Sequence, residues 1–243
     1  MYPKISNNKV KELTKLNQKK YRQVEKKTVV EGVRLIDQLT DYKVTFEELI
    51  FSQDSKLDIN KYSAKRILTA NENQMKKLTE TKTNQEIAAV ISIGNIPIRD
   101  SLFLIYLDGI KDPGNLGTIF RTATAAGVSG IILSPDCCDI YNPKAIRASL
   151  GTVFKLPSET HEHSWLKSIN NTIVSTTLQD SQNIFEVKKP ANLMLVIGSE
   201  ANGIREDILK ISDYKVKIPI LGEIESINAA VAAGIAIYHF INE

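Results

Sequence analysis

Two cysteines, three histidines and no long apolar run set the first limits on this chain of 243 residues. The cysteines, Cys137 and Cys138, are adjacent and poorly placed to bridge each other. A disulfide framework is therefore excluded, and buried or inert thiols are expected. Two thiols without clustered imidazoles also make a poor zinc site. The two histidines of "HEH" (161–163) find nothing nearby to complete a coordination set, so this segment reads as a polar loop and no metal is expected. No stretch approaches the roughly 20 apolar residues that span a bilayer. The opening "MYPKISNNKVKELTKLNQKK" lacks the apolar core of a secretory signal. The sequence reads as cytoplasmic, with no membrane partner.

What is present is an ordinary globular composition, 42% hydrophobic and 24% charged, long enough for one large domain or two modest ones. The net charge of +3 hides an asymmetry. Residues 1–97 hold 18 Lys and Arg against 12 Asp and Glu, a net of +6, while residues 98–243 hold 13 against 16, a net of −3. The first 30 residues alone carry 9 basic and 2 acidic side chains. A phosphate-binding surface has this character, and so does a merely solvated helix face.

The first 95 residues read as a small α/β unit. Val10, Leu13 and Leu16, with Asn7 and Asn8 before them, predict a short capped helix. "TVVEGVRLIDQLTDY" predicts an extended piece and then an amphipathic helix carrying Val33, Leu35, Ile36 and Leu39. "FEELIFSQ", "SAKRILTA" and "IAAVISIGN" read as strands, "NENQMKKLTETKT" as a helix with a polar exit, and "GNIPIRD" (94–100) as a linker. From residue 101 apolar runs ("SLFLIYL", "SGIILS", "TIVSTTL", "NLMLVIG", "YKVKIPI") alternate with helix-like segments at 116–127, 143–151, 164–170 and 203–211. That alternation predicts a parallel sheet covered by helices on both faces, with ligands beyond the carboxyl ends of its strands.

Three of the loops at those ends stand out. In "DPGNLGTIFRTATAAG" (112–127), Leu116, Ile119, Phe120, Ala123 and Gly127 form a core-facing side at helical spacing. Gly114, Gly117, Thr118, Thr124 and Ala125 leave another side short of bulk, with one long cation, Arg121, among them and Asn115 at its mouth. "LVIGSEANGI" (195–204) ends a strand in Gly198, Ser199, Glu200, Asn202 and Gly203, where a ligand can lie on the main chain and the carboxylate needs a partner. In "IPILGEIESINAAVAAGIAIYHF", Ser226 is a natural N-cap for a small-residue helix, and Asn228 stands just inside it. Each loop taken alone also has a plain structural reading.

Together and in this order, the three resemble the motifs of the SpoU/TrmH family of RNA ribose methyltransferases in the SPOUT superfamily. The matching residues are Asn115 and Arg121, then Gly198, Glu200 and Gly203, then Ile218, Pro219, Ser226 and Asn228. Ile227 stands where leucine is commoner. The resemblance covers about residues 98–243, and residues 1–95 more loosely resemble the L30e-like RNA-binding domain of ribosomal-RNA members. It implies an α/β fold with a parallel sheet and a C-terminal trefoil knot, homodimerisation with the active site near the subunit interface, and S-adenosyl-L-methionine held by main chain at Gly198, Ile218 and Ile227. It further implies methyl transfer to a ribose 2′-hydroxyl of RNA, with large-subunit ribosomal RNA preferred over transfer RNA. A non-catalytic RNA-binding protein on the same fold is the alternative. In this reading Arg121 engages the hydroxyl or a neighbouring phosphate, facing the donor methyl across a gap sized for a sugar. Asn115 and Asn228 hold geometry, Ser226 orients a neighbour, and Glu200 anchors its loop or a catalytic partner.

Overall fold

A computed structural model describes residues 2–79, 85–100 and 102–241. The chain opens with α1 (Asn7–Thr14), which buries Val10 and Leu13; Leu16 follows in a short 3-10 turn. Its cap is Ser6, whose hydroxyl accepts from the Lys9 amide, so Asn7 and Asn8 lie inside the helix instead of capping it. After α2 (Lys19–Glu25) come β1 (Lys27–Glu31) and the amphipathic α3 (Val33–Asp41), then β2 (Phe46–Ser52) and β3 (Ala64–Ala70). α4 (Glu72–Leu78) starts in a capping box, in which Asn71 and Gln74 exchange side-chain and backbone bonds. Most of its anticipated polar exit lies outside the described residues. β4 (Ile87–Ser92) completes a mixed sheet in the order β1-β4-β2-β3.

Beyond the linker lie β5 (Phe103–Asp108), α5 (Pro113–Ala125), β6 (Gly130–Leu133), α6 (Pro143–Ser149), β7 (Ser158–Thr160), β8 (Thr172–Thr176) and β9 (Gln182–Asn183). They are followed by β10 (Leu193–Gly198), α7 (Glu206–Leu209), β11 (Tyr214–Lys217) and α8 (Ala229–Ile241). The sheet order is β7-β6-β5-β10-β8-β11-β9, and every pairing in it is parallel. β5, β6 and most of β10 are buried along their length, as expected of strands covered on both faces. The segment at 164–170 is a 3-10 stretch over His163–Ser168. No helix among the described residues is long and apolar enough to cross a membrane.

α5 starts earlier than its apolar periodicity indicates. Asp112 caps it by accepting from the Asn115 amide at 2.9 Å, and Pro113 occupies the first turn, where its missing N–H costs nothing. Leu116, Ile119, Phe120 and Ala123 are buried, while Gly127 lies past the helix end at φ +72°. The small side proves divided. Gly117 faces α6 so closely that a Cβ would lie 2.4 Å from the Ala145 carbonyl oxygen, so this glycine serves helix packing and not a guest.

The two sheets share one apolar core. Leu35, Ile36 and Leu39 of α3 belong to the same cluster as Val153 and Leu156, and Leu39 fills the space where a Cβ on Gly151 would stand. A polar clamp sits beside it. The fully buried Arg22 of α2 donates from Nε (3.0 Å) and Nη2 (2.7 Å) to Asp139 Oδ2, and from Nη1 to the carbonyls of Leu16 and Asn17. Arg147 pairs with Glu31 at 3.1 Å, and Tyr141 donates to the Gly94 carbonyl.

A buried cation stripped of its partner is costly, about 3–5 kcal/mol. Asp139→Ala is therefore expected to lower unfolding free energy by that amount in urea titrations; an unchanged midpoint would show that the clamp contributes nothing. Burial also pushes both thiols up, Cys138 to about 12. Neither should be alkylated by iodoacetamide at pH 8 in the folded protein, as read by intact mass, because the thiolate is the reacting form.

Candidate active site

The carboxyl ends of β10, β8 and β11, adjacent in the sheet, surround a pocket of about 340 Å3. After β10, residues 199–203 form a tight loop closed by two backbone bonds, Ser199 N–H to Gly203 O (3.1 Å) and Gly203 N–H to Ser199 O (2.9 Å). Gly203 holds φ +64°. At Gly198 a Cβ would lie 2.3 Å from the Gly203 carbonyl carbon and 2.5 Å from the Ile204 nitrogen, so only glycine lets this loop fold back on its own strand.

Of the residues that sequence singled out, Gly198, Glu200, Gly203, Ile218, Ser226 and Ile227 all line this pocket. Its walls are largely apolar, from Ile197, Ile204, Leu209, Val216 and Ile220. One wall was not anticipated, Thr176–Gln179 after β8. The loop carries no chemical signature; the only available pointer was its position after a predicted strand. Asp108 was missed too. This buried carboxylate ends β5, accepting from the Arg205 amide at 2.8 Å and lying 3.1 Å from His163 Nε2. It thereby fixes the exit of the 199–203 loop. A charge closing the apolar run "FLIYLD" was a readable signal.

Asn228, and not Ser226, caps α8. Its Oδ1 accepts from the amides of Ala230 (2.9 Å) and Val231 (3.2 Å), while Ser226 lies two residues outside, exposed at the pocket edge. With Oδ1 committed, Asn228 can only donate outward, and its Nδ2 gives 3.0 Å to Asn115 Oδ1. That leaves the Asn115 amide group to donate, and it does so to the Glu200 carboxylate. The helix start, two amides and a carboxylate thus form one directional chain across all three motifs. Asn115 is itself placed by Asp112, which also pairs with Lys144 at 2.6 Å; this lysine's hydrogen bond, ahead of the Asn115 amide, holds the carboxyl below the usual carboxylate range.

Arg121 does not join this assembly within one chain. It is exposed, does not line the pocket, and makes no hydrogen bond or ion pair among the described residues. Its charge is felt instead at Tyr42, after α3, where it opposes the upward push of burial on the phenol.

Residues 102–238 match the SpoU rRNA Methylase family, and residues 7–89 match the MRM3-like substrate binding domain. The chain is 30% identical over 240 residues to the 23S rRNA (guanosine(2553)-2′-O)-methyltransferase RlmP of Bacillus subtilis, covering 96% of each chain. It is 26% identical to the 23S rRNA (uridine(2479)-2′-O)-methyltransferase of Streptomyces viridochromogenes, over 88% of this chain and 82% of that one. Among solved structures, the AdoMet-bound rRNA methyltransferase of Sinorhizobium meliloti superposes with a TM-score of 0.85 at 26% identity, covering 98% of this chain and 95% of that one.

Asn228→Asp keeps the cap but turns the outward donor into an acceptor facing Asn115 Oδ1. The relay can then survive only by flipping Asn115, which sets its oxygen against Glu200. Loss of one charge-assisted bond, about 1.5 kcal/mol, is expected to weaken ligand binding at this pocket roughly tenfold. Calorimetric titration with S-adenosylmethionine reads it, and equal affinity in the two proteins would disprove the relay.

Proposed function

Because this chain belongs to the SpoU rRNA methylase family, we propose that it transfers a methyl group from S-adenosylmethionine to a ribose 2′-hydroxyl of large-subunit ribosomal RNA. The observation that carries this reading is the meeting of the three motif loops through Asn115, Glu200 and Asn228 beside one pocket. The pocket suits the donor. Its volume falls in the range of small-molecule sites, and its lining mixes aliphatic side chains with the glycines and polar residues of the three motif loops. Gly198, Ile218 and Ile227 would surround the adenosyl group, with the loops 199–203 and 218–228 closing as the family's trefoil knot. When bound, the donor supplies a methyl already activated on a positive sulfur.

The chain's own work is then orientation. Holding the two reactants in line can contribute on the order of 7–11 kcal/mol at best. The amide relay fixes the mutual position of the pocket loops, and Ser226 orients a neighbour at the edge. Arg121 remains protonated in any protein setting, so its role is to bind the acceptor's phosphate and stabilise the developing alkoxide, not to take the proton.

For Arg121 to do this, a second copy of the chain is required. α8 exposes Val231 (53%) and Tyr238 (46%) on the face that also carries Gly234 and Ile235, and the adjoining loop exposes Leu221 and Ile224. Exposed apolar side chains on α8 and the loop before it fit a homodimer, which would cover neighbouring α5 and bring its exposed Arg121 into an interface.

Three measurements test the proposal. Labelled S-adenosylmethionine incubated with ribosomal RNA should leave label in RNA, at a site where alkaline cleavage is lost because the 2′-oxygen is blocked. Arg121→Ala should bind the donor normally by calorimetry while methylation falls about 10²–10³-fold, the cost of losing one charge-stabilising donor; unchanged turnover removes Arg121 from the mechanism. Light scattering at micromolar concentration should give twice the 27.1 kDa chain mass, and a monomer would count against the shared site.

A further inference from the structure

A second recess, a groove of about 620 Å3, runs between α2 on one side and β7 with the loop after β6 on the other. One wall is α2, with Lys19, Gln23 and Lys26. The opposite wall is the 134–141 loop and the end of β7, and the linker at Gly94 and Asn95 closes one side. The floor is the Arg22–Asp139 clamp. Arg22 is buried and commits four of its five N–H donors internally, so its role in the groove is to neutralise the carboxylate that would otherwise repel an anion.

Lys19 and Lys26 differ from it. Both are exposed and carry no ion pair among the described residues. They stand about 10 Å apart along α2, and Lys26 is held at φ +51° where the helix ends, its carbonyl accepting from the Ile93 amide. On the far wall the carboxylate is Glu159, already engaged by the Ile98 amide and His161. Two free cations over a neutralised floor favour a polyanion.

The groove also leads somewhere. Its far wall is the back of the 109–115 loop: the Gly109 amide donates to Ser134 Oγ at 2.9 Å, and the Cys138 amide donates to the Ile110 carbonyl at 2.9 Å. The groove therefore lies along β7 and the loop after β6, and that loop braces Gly109 and Ile110, six and five residues before Asn115. We propose that this groove holds the phosphodiester backbone of the RNA strand flanking the target ribose, with Lys19 and Lys26 as the phosphate contacts. The inference rests on the proposed RNA methylation and deepens it. α2 and the reaction-site loop form one rigid track, because Arg22 joins α2 to the same loop that braces residues 109 and 110.

The test compares Lys19→Ala/Lys26→Asn with the control Lys210→Ala/Lys215→Ala; asparagine tolerates the left-handed conformation at 26. Binding to ribosomal RNA fragments is measured across a salt series, with S-adenosylmethionine affinity by calorimetry as the check on folding. The groove variant should bind RNA more weakly at low salt, with the slope of log K against log salt reduced by about 1.4 for two single-strand contacts. Its donor affinity should stay unchanged, and the control should match the wild type in both. A wild-type slope in the groove variant, or an equal loss in the control, overturns the groove while wild-type methylation stands. Failure of the wild type to bind ribosomal RNA overturns the groove and the proposed function together.

Discussion

The site depends on the direction of two amide groups. Free amides at the start of α8 demand an acceptor, and Asn228 supplies its oxygen. That commitment turns its nitrogen toward Asn115, which turns the Asn115 nitrogen toward Glu200. Each bond polarises the next, and the chain ends on a carboxylate, the one side chain that can accept without donating. Three loops, the first of them 85 residues from the second and 113 from the third, are thus ordered by one unpaired helix terminus. The relay explains why amides stand at two of the positions. An aspartate there could not both accept and donate, and a hydroxyl could not span the distance while capping.

A second constraint sits below the first. The amino-terminal sheet is joined to the parallel sheet by a shared apolar core and by a buried guanidinium whose donors close on one carboxylate and two carbonyls. Such a clamp gains little net stability over an apolar contact, because desolvation offsets most of the attraction. What it supplies is a fixed relation between α2 and the loop behind residues 109 and 110. On the proposed reading that relation sets where an RNA strand lying along α2 meets the pocket.

Much of this was legible beforehand. The apolar runs named the central strands because a doubly covered parallel sheet leaves no polar alternation, and the three motif loops were visible as glycines and polar residues after those runs. Other features were hidden for physical reasons. Ser226 has the right chemistry for a cap, but helix starts are decided by where the backbone turns, and the chain turns at Asn228. Gly117 looked like space for a ligand, although a missing side chain accommodates a packed helix equally well, and α6 takes it. Thr176–Gln179 joined the pocket only through strand order, since β8 neighbours β10 in space while 16 residues separate them in the chain.

Arg121 is the instructive case. Sequence links it to Asn115 by spacing on one helix, and six residues place the two side chains about 120° apart round the axis. Asn115 bonds the start of α8, while Arg121 points from another side of the same helix and is exposed. The pocket is lined by residues of one chain, whereas Arg121 lies outside it. On the proposed reading this divides the labour: one protomer alone suffices to bind S-adenosylmethionine, and transfer waits for a second copy and for RNA. Donor binding and turnover should therefore separate whenever the α8 face is disrupted, with affinity kept and methylation lost.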